Sequence, residues 1–367
     1  MRIVLLAAGS SIHTVRWANG LSAEGHSVHL VIELTIFEPM DTADKLNLLE
    51  FRGALGYFTI VPAVRRILKE VAPDIVNAHY ASGYGTTARL VNYRPWVLSV
   101  WGSDIYDFPH KSPLHKWMVK RNLRAADRVL STSHSMAHET RKLVPEVSNI
   151  AITPFGVDFQ AYKGIEPVSA VQKQKLVIGT VKTMKPHYGI DTLIKAFAQL
   201  VLRLQDKNRE VPEVELRLVG GGEQTDELLA LAAQLDIGDK VHFVSLVPHS
   251  QVPQELQKLD IYVALSRRES FGVAVIEAQA AGRPVLVSDA GGLPEVVIDG
   301  ETGFVVPREN PAAAAKALEK LVLDADLRYR MGEAGQKNVG EMYAWDACIE
   351  TMLGVYETSI SESEPSA

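Results

Sequence analysis

The segment from Arg267 to Glu295, RRESFGVAVIEAQAAGRPVLVSDAGGLPE, sets two carboxylates, Glu269 and Glu277, on either side of a run that is otherwise small and apolar. An isolated glutamate in an apolar stripe needs a partner, because a carboxylate taken out of water costs free energy unless it is paired or hydrogen-bonded. Ser270 is a good helix N-cap, Phe271 through Ala281 holds no breaker beyond an early Gly272, and Gly282 offers a left-handed C′ position before Arg283-Pro284. The first turn, Ser270-Phe271-Gly272-Val273, then presents free amides and partial positive charge, and Gly272 admits an anion close to the backbone. On a helix, Ser270 and Glu277 lie about 20° apart in angle and roughly 10 Å apart along the axis. A nucleoside diphosphate matches that spacing, with phosphates at the tip and ribose hydroxyls on Glu277. Glu269 then faces the group beyond the β-phosphate, which in a nucleotide sugar is the sugar. The plainer alternative is that Glu269 complements the helix dipole and Glu277 lies on a solvated face.

Other chemistry-bearing residues follow apolar runs. Gly220-Gly221-Gly222 comes directly after LRLV and allows close backbone approach to a nucleotide or sugar, though a glycine-rich turn also simply ends strands. Gly9-Ser10-Ser11 leads from the first run to His13, which borders a ligand or serves as a cap or packing residue. His79, in NAHYASGYG, is a further candidate at the end of an apolar run. In VLSVWGSDIY, Asp104 either faces the reaction or closes an Asx turn.

These positions need a scaffold, and the chain spells one out. Runs such as RIVLLAA, HSVHLVIEL, DIVNAHY, WVLSVWG and RVLSTS alternate with amphipathic stretches such as TVRWANGLSAEG, which predicts a parallel α/β architecture. The order restarts after residues 158 to 175 with KLVIGTV, DTLIKAFAQLVLRL, VELRLVGGG, DELLALAAQL, KVHFVSL, HSQVPQELQKL, IYVALS and RPVLVSD. Two doubly wound halves are expected, residues 1–163 and 176–342, with a helix over 343–360 returning to the first half. Open α/β sheets bind ligands beyond the carboxyl ends of their strands. Two such domains facing each other put the ligand in the cleft between them.

At 367 residues the chain is long enough for two domains, and 47% hydrophobic with 22% charged residues marks a globular composition. Only the SISESEPSA tail is expected to lack order. A formal charge of −6 gives no global pull toward nucleic acid. Cys348 is the single cysteine, so no disulfide or cysteine metal site forms within the chain; it reads as a small buried hydrophobe in a reducing compartment. MRIVLLAAGSS is thin for a signal peptide, and no apolar run reaches the roughly 18 residues of a spanning helix, so a cytoplasmic protein is expected.

Glu269 and Glu277 with seven residues between, followed by EAQAAGRPVLVSDAGGLPEVVIDGETGFVV, resemble the glutamate-pair signature of glycosyltransferase family 4, retaining enzymes of the two-domain GT-B fold. LRLVGGGE, GDKVHFVSLVP, IYVALSRRESFG, PFGVD, HTVRWANGLSAEGH and NLRAADRVLSTS fall in that family's order. The resemblance implies an acceptor-side first domain and a donor-binding second one. It gives Glu269 the donor-sugar hydroxyls, Glu277 the ribose, and the amides of Ser270, Phe271, Gly272 and Val273 the diphosphate. Where the family has an Arg/Lys pair, this chain has GTVKTMKPHYGID; Lys182 takes the arginine's role and either Lys185 or His187 the lysine's. The base lies near Val244, Ser245 and Leu246. Trp101 stands where the family commonly has histidine, leaving Asp104 as the acidic side chain toward the reaction.

The resemblance thus implies transfer of a hexose or N-acetylhexosamine from a UDP-, GDP- or ADP-sugar to a saccharide or lipid-linked saccharide, in surface polysaccharide, lipopolysaccharide or glycolipid assembly. With retention, the leaving phosphate accepts the acceptor proton, and no D-x-D element suggests an essential metal or other cofactor. A sugar-nucleotide epimerase of the same fold and a non-catalytic nucleotide-sugar binding module are the alternatives. The basic stretch KSPLHKWMVKRNLRAADR over 111–128 suits either a peripheral contact with an anionic membrane or a solvated helix.

Overall fold

In the computed structural model, residues 1–32, 46–48, 53–205 and 211–363 are described, and they form two compact units. One comprises Met1–Phe155 and the segment from Trp345 onward; the other is Gly156–Ala344.

In the first unit, β1 (Arg2–Ala7), β2 (Ser27–Ile32), β3 (Leu46–Leu48), β4 (Ile75–His79), β5 (Trp96–Val100), β6 (Arg128–Ser131) and β7 (Ile150–Ile152) make a parallel sheet in the order β3-β2-β1-β4-β5-β6-β7. Five of the six β1 residues and all of β4 and β5 are buried, as expected where helices cover both faces of a parallel sheet. The C-terminal helix Trp345–Ser363 belongs to this unit. Its Trp345 ring meets Trp17 at 4.9 Å, and a Cβ on Gly20 would come within 2.5 Å of Trp345 Nε1, so that helix crossing requires glycine. Asn77 on β4 donates to Tyr356 Oη at 2.7 Å. Cys348 is buried, which pushes its thiol up to about 12. The tail is helical to Ser363, contrary to the expectation of disorder; residues 364–367 lie outside the described residues.

The second unit has β8 (Lys175–Val181), β9 (Glu213–Val219), β10 (Val241–Val244), β11 (Ile261–Ala264), β12 (Val285–Ser288) and β13 (Gly303–Val306), parallel and ordered β10-β9-β8-β11-β12-β13. β8 and β9 pair over seven residues, from Lys175↔Glu213 to Val181↔Val219. Helix Ile190–Gln205 buries Leu193, Ile194, Phe197 and Leu200 against this sheet's core. In both units strand order reverses beside the first strand, at β1/β4 and at β8/β11. Successive crossovers leave such a point on opposite faces, so the loops there part and leave a crevice.

The division falls between Phe155 and Gly156, earlier than residue 163. The 163–168 segment packs on the second unit: Arg283 donates to Glu166 O, and Val168 N–H to Gly282 O at 3.3 Å.

Candidate functional site

Lys182 is the first residue past β8, and Glu269 lies five residues past β11, so the two stand on opposite sides of the strand reversal in the second unit. Lys182 Nζ donates to Glu269 Oε2 at 2.6 Å, with side chains 11% and 12% exposed. The ammonium also sits 4.3 Å above the Tyr188 ring. Burial by itself would lower the Lys182 pKa, but the Glu269 carboxylate and the phenols of Tyr188 and Tyr262 outweigh it and hold it above the usual lysine range. Lys182 is therefore a permanent cation beside the helix tip. His187 is half-buried with its ring against Tyr188, and burial together with Arg268 holds it below the usual imidazole range. Lys185 is exposed, which leaves His187 as the better-placed of the two residues expected to back up Lys182.

The helix after Glu269 spans Val273–Ala280, and its N-cap is Gly272 at φ +114°. This corrects the expectation of a Ser270 cap. Ser270 precedes the helix and its N–H donates to Glu269 Oε1 at 3.2 Å, so the helical angle between Ser270 and Glu277 has no counterpart. A left-handed cap suits glycine, and the space beside it is tight: a Cβ on Gly272 would stand 3.0 Å from Leu293 Cδ2. The amides at Gly272 and in the first helical turn still form the positive end of a helix dipole. At the other end Gly282 N–H bonds to Gln279 O and Arg283 N–H to Ala278 O, the expected left-handed stop.

Glu277 is 5% exposed on that helix, so it is not a solvated charge. His249 Nε2 lies 2.9 Å from its Oε1, from the short turn His249–Gln251 after β10. The glycine run after β9 divides into two kinds. Cβ atoms on Gly220 and Gly222 would come within 2.1 Å of Lys182 O and 2.4 Å of Met184 O, so strand-end packing already requires both glycines. Gly221 faces open space. Leu246, expected near the base, follows β10 and is 72% exposed.

The first unit gathers His13 past β1, His79 at the end of β4 and Trp101 directly past β5. Trp101 contacts His79 at 4.3 Å, Tyr80 at 5.1 Å, Phe155 at 5.3 Å and His13 at 6.0 Å. His79 is buried, and burial followed by the neighbouring His13 lowers it to about 3, so its imidazole is neutral. Gly9 is buried in the turn that leads to His13. Asp104 is 1% exposed, with Oδ2 accepting from Ala81 N–H at 2.7 Å and Oδ1 from Gly102 and Trp101 N–H at 2.9 and 3.2 Å. This corrects the expectation that Asp104 faces the reaction. Its carboxylate ties the loops after β4 and β5 together, and burial raises its pKa against those amides.

A family model described as glycosyl transferases group 1 matches residues 163–338, and one described as glycosyl transferase 4-like matches residues 2–133. A D-inositol 3-phosphate glycosyltransferase of Streptomyces scabiei is 31% identical over 317 residues, 79% of this chain and 69% of that protein. The chain belongs to the group 1 glycosyltransferases. The like-named protein of Streptomyces avermitilis is 32% identical over 248 residues, 64% of this chain and 53% of its own, so the match spans about half the relative's length. N-acetyl-alpha-D-glucosaminyl L-malate synthase of Bacillus anthracis is 24% identical across 95% of this chain and 93% of that one. Among solved structures, sucrose-phosphate synthase of Thermosynechococcus elongatus aligns at TM-score 0.80 and 20% identity, covering 99% and 100% of the two chains. Anabaena HepE in complex with UDP and glucose aligns at 0.77 and 19%, covering 98% and 100%. The fold is GT-B.

Within this group 1 glycosyltransferase, sequence reasoning named Lys182, Glu269 and Glu277 but missed His249, Tyr188 and Gly291. Gly291, at φ +53°, would place a Cβ 1.8 Å from Glu269 O, and Gly292 N–H donates to that same oxygen at 3.1 Å. The adjacent glycines of DAGGLPE, directly after β12, carried that signal. Nothing in PHSQVP marks His249 as a partner of a residue 28 positions away.

Proposed function

We propose that the chain is a retaining glycosyltransferase that moves a hexose or N-acetylhexosamine from a nucleoside-diphosphate sugar to an acceptor hydroxyl in surface polysaccharide or glycolipid assembly. The observation that carries this reading is the Lys182–Glu269 pair at the strand reversal, beside a helix tip and with buried Glu277 along the same helix. A diphosphate takes Lys182 and the tip amides, the sugar hydroxyls take Glu269, and Glu277 takes the ribose. The UDP and glucose held by HepE support the donor class.

In the reaction the bond from the anomeric carbon to the β-phosphate oxygen breaks, and the acceptor oxygen bonds to that carbon on the same face. The acceptor proton passes to the leaving phosphate. Charge grows on the diphosphate, so a preorganised cation and amides there stabilise the transition state more than the ground state. Lys182 supplies charge without an essential metal, and undiminished turnover in EDTA is the expected result. His13, His79 and Trp101 are assigned to the acceptor side. The acceptors named for two relatives, an inositol phosphate and malate, favour a small polar hydroxyl compound as a second reading beside a lipid-linked saccharide.

We assign the protein to the cytoplasm, with a peripheral membrane contact through 111–128. In that region helix Pro113–Ala125 exposes Leu114 and Trp117 beside Lys116 and Arg121. Co-sedimentation with anionic but not neutral liposomes tests that part. A thermal-shift screen against UDP-, GDP- and ADP-sugars tests the donor class. A ligand at 100 times its Kd adds about 2.7 kcal/mol to stability. No shift with any of them contradicts the reading.

A further inference from the structure

We propose that His249 is a positioning residue for the donor's ribose: by holding the Glu277 carboxylate it makes the site select ribonucleotides over their dideoxy counterparts. The inference rests on the nucleotide-sugar reading and concerns a residue that reading does not use. Glu277 is the sole carboxylate on a helix whose other buried residues, Val275, Ile276, Ala278, Gln279 and Ala280, carry no charge. A glutamate side chain has three torsions to fix, and gripping two vicinal hydroxyls demands one orientation. His249 Nε2, 2.9 Å from Oε1, supplies that constraint from a different strand's loop. The turn carrying it is itself anchored, with Gln251 N–H on Pro248 O at 2.9 Å and Val252 buried. An ionised carboxylate offers about four acceptor positions, so the histidine bond and the ribose hydroxyls are compatible.

A role limited to satisfying a buried carboxylate would lower stability and leave ribose discrimination intact. The experiment is calorimetric titration of UDP, GDP and ADP and of their 2′,3′-dideoxy counterparts into wild type, His249→Ala, His249→Gln and Glu277→Ala, each first shown to be folded by circular dichroism. The expected result is that the diphosphate bound by wild type loses about tenfold in affinity on His249→Ala, the size of a hydrogen bond to a charged group, while its dideoxy form is unchanged. His249→Gln, whose amide donates at similar reach, recovers part of the loss. In kinetics the donor KM rises with kcat nearly constant. If Glu277→Ala abolishes discrimination and His249→Ala keeps it, the role of His249 is overturned and the ribose reading stands. If Glu277→Ala still discriminates as wild type does, or no diphosphate binds, the underlying reading fails and this inference with it.

Discussion

Lys182 Nζ and Glu269 Oε2 lie 2.6 Å apart, joining the loops that follow β8 and β11 where the strand order of the second unit reverses. Each neutralises the other at a place where a donor diphosphate and its sugar would claim both. On the proposed reading donor binding would exchange partners, with Lys182 turning to phosphate and the Glu269 carboxylate accepting from sugar hydroxyls, so neither group is left without a polar partner.

Removing the lysine alone strands a mostly buried carboxylate. Lys182→Met is expected to cost about 2–4 kcal/mol in urea unfolding, and adding Glu269→Gln should restore most of it. Additive losses in the double variant would show that the pair is not coupled.

The three glycines after β9 should separate by role. Gly221→Ala meets open space and should leave stability within about 0.5 kcal/mol while weakening nucleotide binding. Gly220→Ala, 2.1 Å from Lys182 O, should destabilise first and lose binding as a consequence. Melting and titration of both variants decide it, and unchanged nucleotide affinity in Gly221→Ala would remove that loop from the ligand's path.

The strand-end geometry was legible because α/β periodicity and the rule that ligands bind past strand ends need only local patterns. Glu269 follows from that rule and Glu277 from a buried-carboxylate argument, whereas Lys182 was singled out within its strand-end loop only by the family resemblance. The helix cap was misplaced because Ser270 has the usual capping chemistry, yet its amide is taken by Glu269 and the chain turns left-handed at Gly272 instead. Asp104 was misjudged because a carboxylate in a loop looks the same in sequence whether it faces a substrate or backbone amides. His249 was illegible, since its meaning comes entirely from a contact across 28 residues.

His79 titrates near 6.5 when unfolded and near 3 when folded, so between those values the unfolded chain binds more protons. Stability of the first unit should therefore be complete above pH 6.5 and fall on acidification, by about 1.4 kcal/mol per pH unit at its steepest. His79→Asn should flatten that slope in urea titrations at about pH 4 to 7; an identical slope would show that His79 is not the group responsible.

Asp104→Asn keeps one accepting oxygen but turns an NH2 toward the other backbone donors, so either Ala81 or the Trp101 and Gly102 pair loses its acceptor and the tie between the two loops breaks. Stability should drop by about 1–3 kcal/mol. A variant that kept full stability while losing kcat would instead restore Asp104 as a catalytic base.

The division of labour between the two glutamates is the central claim, and calorimetric titration of the nucleoside diphosphate into Glu269→Gln and Glu277→Ala tests it most directly. Glu269→Gln is expected to bind the diphosphate nearly as wild type does while losing sugar transfer, and Glu277→Ala to lose at least about tenfold in diphosphate affinity. Equal losses of diphosphate affinity in both variants would contradict it.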